Sequence, residues 1–477
     1  MSVGAAATPS RKLRFGARTA LLICLPAFAV LLSLLAWIAG VSRSGFWADD
    51  FLNLTHFSNS LGDLSNNRIN EGKYIINLFW AIGTTAFGTG SVVPYLLLNS
   101  LVFAVGLVLW LRAGSGTRWG PVGAWWIGGL FLATGAWLPT VLWSSNITHS
   151  GGFLALGAAM WCHERCMRSD TRNAAWSWAL ACGGLWLFAI VSNLLYVGLL
   201  AIAAYCVLHQ TIKLRDLGAP AARAAAIGAA CSLVVPLVFF FAVAYPGTQS
   251  SAVYANHGVK FIHANYDYYK YLLAPTTLLE IGYAITVVVS LAGAALAARR
   301  RDLFPAAILL AAAGTALPAL VQGTQREIHY VAMPLLLTFT AAALGARAVL
   351  SIGPPRRVAG TAAAIAAAAV MLLLVFEQGA TVRHYFVATP FGSRLTSLRS
   401  DIAERTLEGG TICAMLDVEP KEQALFIAEM SGEDGFLVSP ISAGRVFLVP
   451  KGSPCPVPGA ISVDIGIDPR GDFMVSG

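Results

Sequence analysis

The chain has 477 residues, 57% of them hydrophobic and 12% charged, with a formal net charge of +8. A soluble enzyme carries roughly 25% charged residues, so the composition excludes one and points to a polytopic membrane protein. No run of basic residues is interleaved with aromatics, so the positive excess is a topology signal and argues against nucleic acid as a partner.

Arg11, Lys12, Arg14 and Arg18 precede an apolar stretch over 20–41, long enough to span a bilayer and too long for a cleaved signal. Further apolar runs predict spans near 93–111, 119–137, 149–162, 174–191, 194–210, 224–245, 277–298, 305–321, 331–349 and 360–376, about eleven transmembrane helices in all. With the N-terminus inside, the segments 1–18, 112–118, 163–173, 211–223, 299–301 and 347–357 become cytoplasmic and hold 18 Lys and Arg together. The opposite short loops hold six, namely Arg43, Arg68, Lys73, Lys260, Lys270 and Arg326. The bias fits the rule that short cytoplasmic loops collect basic residues.

The first outer loop, 42–92, is the longest. Its start, "SGFWADDFLNL", sets Asp49 and Asp50 beside Phe46, Trp47 and Phe51. Partial desolvation raises a carboxylate's pKa and makes it a better proton acceptor, as a general base requires; an aspartate here also suits a helix N-cap. Later in the loop, "NNRINEGKYIINLFWAIG" places Tyr74, Ile75, Leu78, Phe79 and Ile82 on one helical face, with Asn70, Lys73 and Asn77 toward the other. Such a helix can lie in the interface.

Of the remaining outer segments, "WSSNITHS" contains Asn146 and His149, and "SNLLY" contains Ser192 and Asn193; both are polar turns able to line one cavity. "NIT" also fits a glycosylation acceptor pattern, a weak signal on its own. The loop "AVYANHGVKFIHANYDYYKYLLAP" supplies Lys260, His263, Tyr266 and Tyr269, flat faces and hydrogen-bonding groups suited to a sugar, or an aromatic belt at the membrane surface. Glu280 lies a turn into the eighth span, and an intramembrane acid is a candidate functional group. In "VQGTQREIHYVAMPLLL", Arg326, His329 and Tyr330 stand at the mouth of the tenth span, where Arg can grip phosphate oxygens or anchor the helix in the interface. Cys162, His163 and Cys166 lack a fourth ligand for a metal site.

From about Arg383 charges return and short β-like stretches appear at "GTICAML", "GFLVSP", "GRVFLVP" and "AISVDIGIDP". The division expected is a membrane catalytic part over 1–382 and a small extracytoplasmic C-terminal α/β domain over 383–477, in which Cys413 and Cys455 can form a disulfide.

Together "WADDF", "GKYIINLFWAIG" and "REIHYVAMP" resemble signatures of the GT-C superfamily of polytopic glycosyltransferases, the last being similar to its Arg-Tyr-x-x-Pro pattern, with His329 where many relatives carry Arg. The resemblance implies a transmembrane GT-C-like fold and an inverting transferase that draws sugar from a polyprenyl-phosphate donor at the outer face. It implies Asp49 or Asp50 as base, Arg326, His329, Tyr330 and Lys73 around the donor phosphate, and Lys260, His263, Tyr266, Tyr269, Asn146, His149 and Glu280 around sugar or acceptor. No cofactor is required, although Asp49 and Asp50 could hold a divalent cation. The acceptor expected is an envelope glycan, lipid or surface protein, and the setting a bacterial inner membrane among its lipids. The alternatives are a polymerase or ligase of lipid-linked glycans, centred on Arg and His in a later loop, and a lipid or polysaccharide transporter, for which charges within several spans or internal repeats are expected.

Overall fold

The computed structural model describes residues 17–43, 74–88, 91–115, 118–239, 241–242, 258–274, 276–321, 328–350, 369–378, 411–417, 445–452, 454–455, 457–467 and 473–476. The helices in chain order are α1 Ala17–Arg43, α2 Tyr74–Phe87, α3 Val93–Ser115, α4 Gly120–Ala133, α5 Leu138–Leu142, α6 Ile147–Arg168, α7 Arg172–Ser192 and α8 Leu200–Asp216. They continue with α9 Ala221–Ala229, α10 Val235–Phe239, α11 Ile262–Leu273, α12 Thr277–Arg299, α13 Phe304–Val321 and α14 Ala332–Leu350. A π turn at Ala230–Val234 joins α9 to α10. It lies just before Pro236, whose ring cannot sit against an unwidened preceding turn.

Among the described residues eight helices are long and apolar enough to cross a membrane: Ile23–Ser42, Val93–Ser115, Arg172–Ile190, Leu195–Asp216, Ala222–Phe239, Thr277–Arg299, Phe304–Val321 and His329–Ala348. Two further expected spans are not among these eight. The 14 residues of α4 reach only about 21 Å at 1.5 Å per residue, against a hydrocarbon core of about 30 Å. The 22-residue α6 is long enough but carries His149 near its start and Glu164, Arg165 and Arg168 near its end. The eleventh expected span, 360–376, falls largely outside the described residues.

Large apolar side chains face outward in helical stripes, such as Leu101, Val105 and Val108 on α3, and Leu278, Ile281, Ile285, Val288 and Leu291 on α12. That is the pattern of a lipid-facing surface. Without a hydrophobic drive between helices in lipid, association relies on small residues that let backbones approach. A side chain on Gly157 of α6 would overlap the carbonyl of Gly106 on α3, and one on Gly293 of α12 would overlap the backbone of Gly345 on α14. Interhelical hydrogen bonds add to this: Trp37 Nε1 donates to Ser100 Oγ at 2.9 Å and Trp110 Nε1 to Thr340 Oγ1 at 3.2 Å.

The structure divides the apolar face expected of α2, separating Phe79 from Leu78 and Ile82. Phe79, Trp80 and Ala81 are buried, and Leu78 and Ile82 point outward. The reason is Tyr95 in the first turn of α3, against which Phe79 and Trp80 pack at ring-centroid distances of 5.9 and 5.0 Å. The outward leucine and isoleucine are then free to meet lipid.

Toward the C-terminus, strands β1 Thr411–Asp417, β2 Arg445–Pro450, β3 Ile461–Ile467 and β4 Phe473–Ser476 form a sheet in the order β2-β1-β3-β4. β1 runs parallel to both β2 and β3, and β4 is antiparallel to β3. Cys413 on β1 is joined to Cys455 by a disulfide with Cα atoms 5.9 Å apart. The stretch "GFLVSP" lies outside the described residues.

Replacing Gly157 or Gly345 with Val is expected to lower stability by about 1–3 kcal/mol each, because the helices must move apart. Gly184 has nothing within 4 Å of an added Cβ, so Gly184→Val should leave the thermal midpoint in detergent near that of the wild type. Equal midpoints for all three variants would contradict the packing.

Candidate functional site

The segment between α4 and α6 is expected as a short outer loop. It is instead folded into the bundle. The five-residue α5 stops at Trp143, whose backbone is extended at φ −116°, and a tight 3₁₀ turn, Ser144–Asn146, leads into α6. Thr140, Ser144, Ser145, Asn146, Thr148, His149 and Ser150 are all buried. A helix that stops in a buried setting leaves carbonyls without partners. Two amides satisfy them: Asn99 Nδ2 on α3 donates to the carbonyls of Thr140 and Trp143 at 2.8 and 3.0 Å, and Asn146 Nδ2 donates to that of Pro139 at 3.0 Å. The hydroxyls of Thr140, Ser144 and Ser150 have no hydrogen-bond partner among the described residues.

At the start of α6, His149 is held through both ring nitrogens. Asn193, which caps the 3₁₀ turn Leu194–Leu199, accepts from the Leu195 N–H through its side-chain oxygen at 3.0 Å. That contact fixes the amide so that Nδ2 faces His149 Nε2, also at 3.0 Å. Nε2 is therefore the acceptor, Nδ1 carries the proton, and Nδ1–H donates to Tyr196 Oη at 3.0 Å. The Tyr196 hydroxyl donates in turn to the His149 carbonyl at 3.2 Å. The result is a closed chain of donors that locks one tautomer and one ring orientation.

His329 and Tyr330, in the 3₁₀ turn before α14, pack onto this locked ring. The His149 and His329 rings meet edge to face with centroids 4.5 Å apart, and Tyr330 lies 4.3 Å from His329 and 5.7 Å from His149. Trp143 closes another side of His329 at 5.7 Å. His329 is 4% exposed and Tyr330 9%, so these polar rings are desolvated rather than lying on the surface as interfacial anchors. Residues far apart in sequence, 143–149, 193–196 and 329–330, thus form one cluster at the end of the bundle where α3, α6 and α14 begin. The described part of the segment expected as the first outer loop reaches the same end, since α2 stacks on the first turn of α3 and touches α6 and α7.

Other candidates are placed differently. Lys260, His263 and Tyr266 are not buried, with Lys260 lying 4.9 Å over the Phe261 ring and His263 3.6 Å from Asp267. None of their described contacts reaches the His149 cluster. Tyr269 is buried against the core. Asn265, beside it on α11, donates to the carbonyls of Ala319 and Leu320 at the end of α13. Glu280 in the first turn of α12 is paired with Lys270 at 2.9 Å, and the carboxylate's hydrogen bond and charge raise the Lys270 pKa above its ordinary value. Asp49, Asp50, Lys73 and Arg326 lie outside the described residues. Among the described residues no group of three His, Cys, Asp or Glu side chains is placed to hold a metal ion.

Sequence reading passed over Asn99 and Tyr196, each inside or beside an apolar run. An amide within a span and a tyrosine three residues after Asn193 were the available signals.

No protein-family model matches the sequence, and no curated protein does. Solved structures similar to the chain include two of ArnT from Cupriavidus metallidurans: one bound to undecaprenyl phosphate, at 15% identity and a TM-score of 0.48, and one in the apo state, at 15% identity and a TM-score of 0.46. Each alignment covers 90% of this chain and 86% of the other.

The donor chain around His149 generates a direct test. Asn193→Ala leaves the buried Nε2 acceptor without its donor and is expected to cost about 1–3 kcal/mol of stability. In nitrogen-15 NMR of histidine-labelled protein, the Nδ1–H tautomer of His149 should be visible in the wild type and lost or mixed in that variant. An Nε2–H tautomer in the wild type would contradict the assignment.

Proposed function

We propose that the chain is an inverting glycosyltransferase that moves a sugar from a polyprenyl-phosphate donor to an envelope glycan, lipid or surface protein at the outer face of a bacterial inner membrane. The observation that carries this reading is the His149–His329–Tyr330 cluster, a desolvated set of hydrogen-bonding rings at the end of a membrane bundle. His329 and Tyr330 come three and four residues after Arg326 in the chain, and α2 of the first outer loop reaches the same end. The likeness of "WADDF" and "REIHYVAMP" to GT-C signatures supplies the chemistry expected there.

In the proposed reaction, Asp49 or Asp50 takes the proton of an acceptor hydroxyl. The acceptor oxygen forms a bond to the anomeric carbon from the face opposite the phosphate, the bond from that carbon to the phosphate oxygen breaks, and lipid phosphate leaves with the electron pair. Phosphate leaves as a stable anion without a general acid, so the protein's work is orientation and stabilisation of the departing charge. Arg326 and Lys73 supply positive charge to the phosphate, and His329 and Tyr330 supply hydrogen bonds from a site that excludes water. The lock on His149 holds His329 in place, which makes His149, Asn193 and Tyr196 positioning residues. Lys260, His263 and Tyr266, whose side chains are exposed, are available to sugar or acceptor. Asn146 and Glu280 act through the Pro139 carbonyl and through Lys270, respectively.

Envelope glycans and glycoproteins, compared by mass spectrometry in strains with and without the gene, should differ by one sugar unit. In complemented strains, Asp49→Ala and Asp50→Ala test the base. At least one is expected to lower product by about 10²–10⁴-fold, and Arg326→Ala by about 10²–10³-fold, at unchanged protein level. Full product from both aspartate variants would remove the base assignment and favour a ligase or a transporter.

A further inference from the structure

The other end of α6 carries a second polar site. The residues of expected cytoplasmic segments meet there: Arg118 donates to Tyr205 Oη at 2.7 Å, lies 3.8 Å from Glu164 and 3.9 Å over the Phe304 ring, and its carbonyl accepts from Arg347. From His149 to Arg165 the helix rises roughly 24 Å at 1.5 Å per residue. The two sites therefore lie at opposite faces of the bundle.

Beside this network lie the C-terminal ends of the parallel helices α3 and α6. A cleft of about 400 Å³ there is lined by Arg112, Ala113 and Ser115 from α3 and by Trp161, Glu164, Arg165 and Arg168 from α6. Glu164 is the one acid in that lining, and both its oxygens are occupied: Oε1 faces Arg118 at 3.8 Å and Oε2 faces Arg168 at 3.5 Å. Arg165 rests 5.1 Å over the Trp161 ring. Among the described residues neither Arg112 nor Arg165 forms an ion pair with an acid. The carbonyl ends of two helices oppose an anion, each with roughly half a negative charge. Three arginines against Glu164 and those two ends still leave about one positive charge in the cleft.

One net positive charge, planar guanidinium donors, a tryptophan face and a position at the ends of two helices match a singly charged phosphodiester at headgroup depth. Basic pockets between helices on the cytoplasmic side recognise such headgroups. We propose that this cleft binds the phosphodiester headgroup of an anionic phospholipid. The site is separate from the glycosyl-transfer reading and stands or falls without it. Its occupant would bridge the C-terminal ends of α3 and α6.

The test uses full-length protein, delipidated in detergent and titrated with phosphatidylglycerol, phosphatidylcholine or inorganic phosphate, with binding followed by native mass spectrometry and by the thermal midpoint. Phosphatidylglycerol should bind and raise the midpoint, while phosphatidylcholine and phosphate should not. Arg112→Gln and Arg165→Gln, both at exposed positions, should each weaken phosphatidylglycerol binding about fivefold, and the triple exchange with Arg168→Gln about a hundredfold. The single exchanges keep the test decisive if the triple variant does not fold. Equal effects of the two lipids, full reproduction of the shift by inorganic phosphate, or undiminished binding in both single variants would overturn the proposal.

Discussion

The close crossing of α3 and α6 is the constraint on which the rest of the arrangement depends. In lipid, helices gain little from burying apolar surface against one another, and contact comes from backbones that can approach. Gly106 and Gly157 permit that approach near the middle of both helices. Because α3 and α6 run parallel, the crossing fixes what happens at each end. Toward their starts, Asn99 on α3 comes within reach of the carbonyls left open where α5 stops. At their ends both helices contribute to the arginine-lined cleft.

A broken helix in a buried setting is expensive unless its free backbone groups are met. Here asparagine amides meet them, Asn99 and Asn146 around α5 and Asn265 at the end of α13. The break turns polar residues inward without leaving the nearby carbonyls exposed to hydrocarbon. It also places His149 where α7's terminal Asn193 and the following Tyr196 can hold it, and where His329 can pack on its ring. Rigid placement of this kind is what a site needs when its task is to orient reactants and stabilise charge. The same rigidity explains why the two histidines lie on helical starts and not in the loops between them.

Much of this architecture was legible in the sequence because hydrophobic length and the Lys and Arg bias are properties of single segments. The runs that became α1, α3, α7, α8, α12, α13 and α14 could be read without knowing their neighbours. The expected inner segments around Arg118, Glu164 and Arg347 do meet at one end, as alternating spans require. What escaped reading depends on partners. The polarity of "WSSNITHS" suggests a loop until Asn99 is known to satisfy its carbonyls. Leu78, Phe79 and Ile82 share one apolar face in the sequence pattern, and only Tyr95 shows that Phe79 and Trp80 pack inward while Leu78 and Ile82 point out. The family resemblance gives His149 and His329 different tasks, and nothing in a sequence that sets them 180 residues apart shows that their rings touch. The glycine crossings are similarly silent, since only tertiary pairing tells a packing glycine from a neutral one.

The central claim is that a carboxylate of the first loop and the His149 cluster share the outer face, opposite the arginine cleft. Cysteine accessibility in intact cells measures this most directly. In a background with exposed Cys24 replaced, single cysteines at positions 50, 326 and 168 would be treated with a membrane-impermeant thiol reagent. Positions 50 and 326 are expected to label while the inner membrane is intact, and position 168 only after it is opened. Protection of position 50 until lysis would put the aspartates in the cytosol and contradict the account.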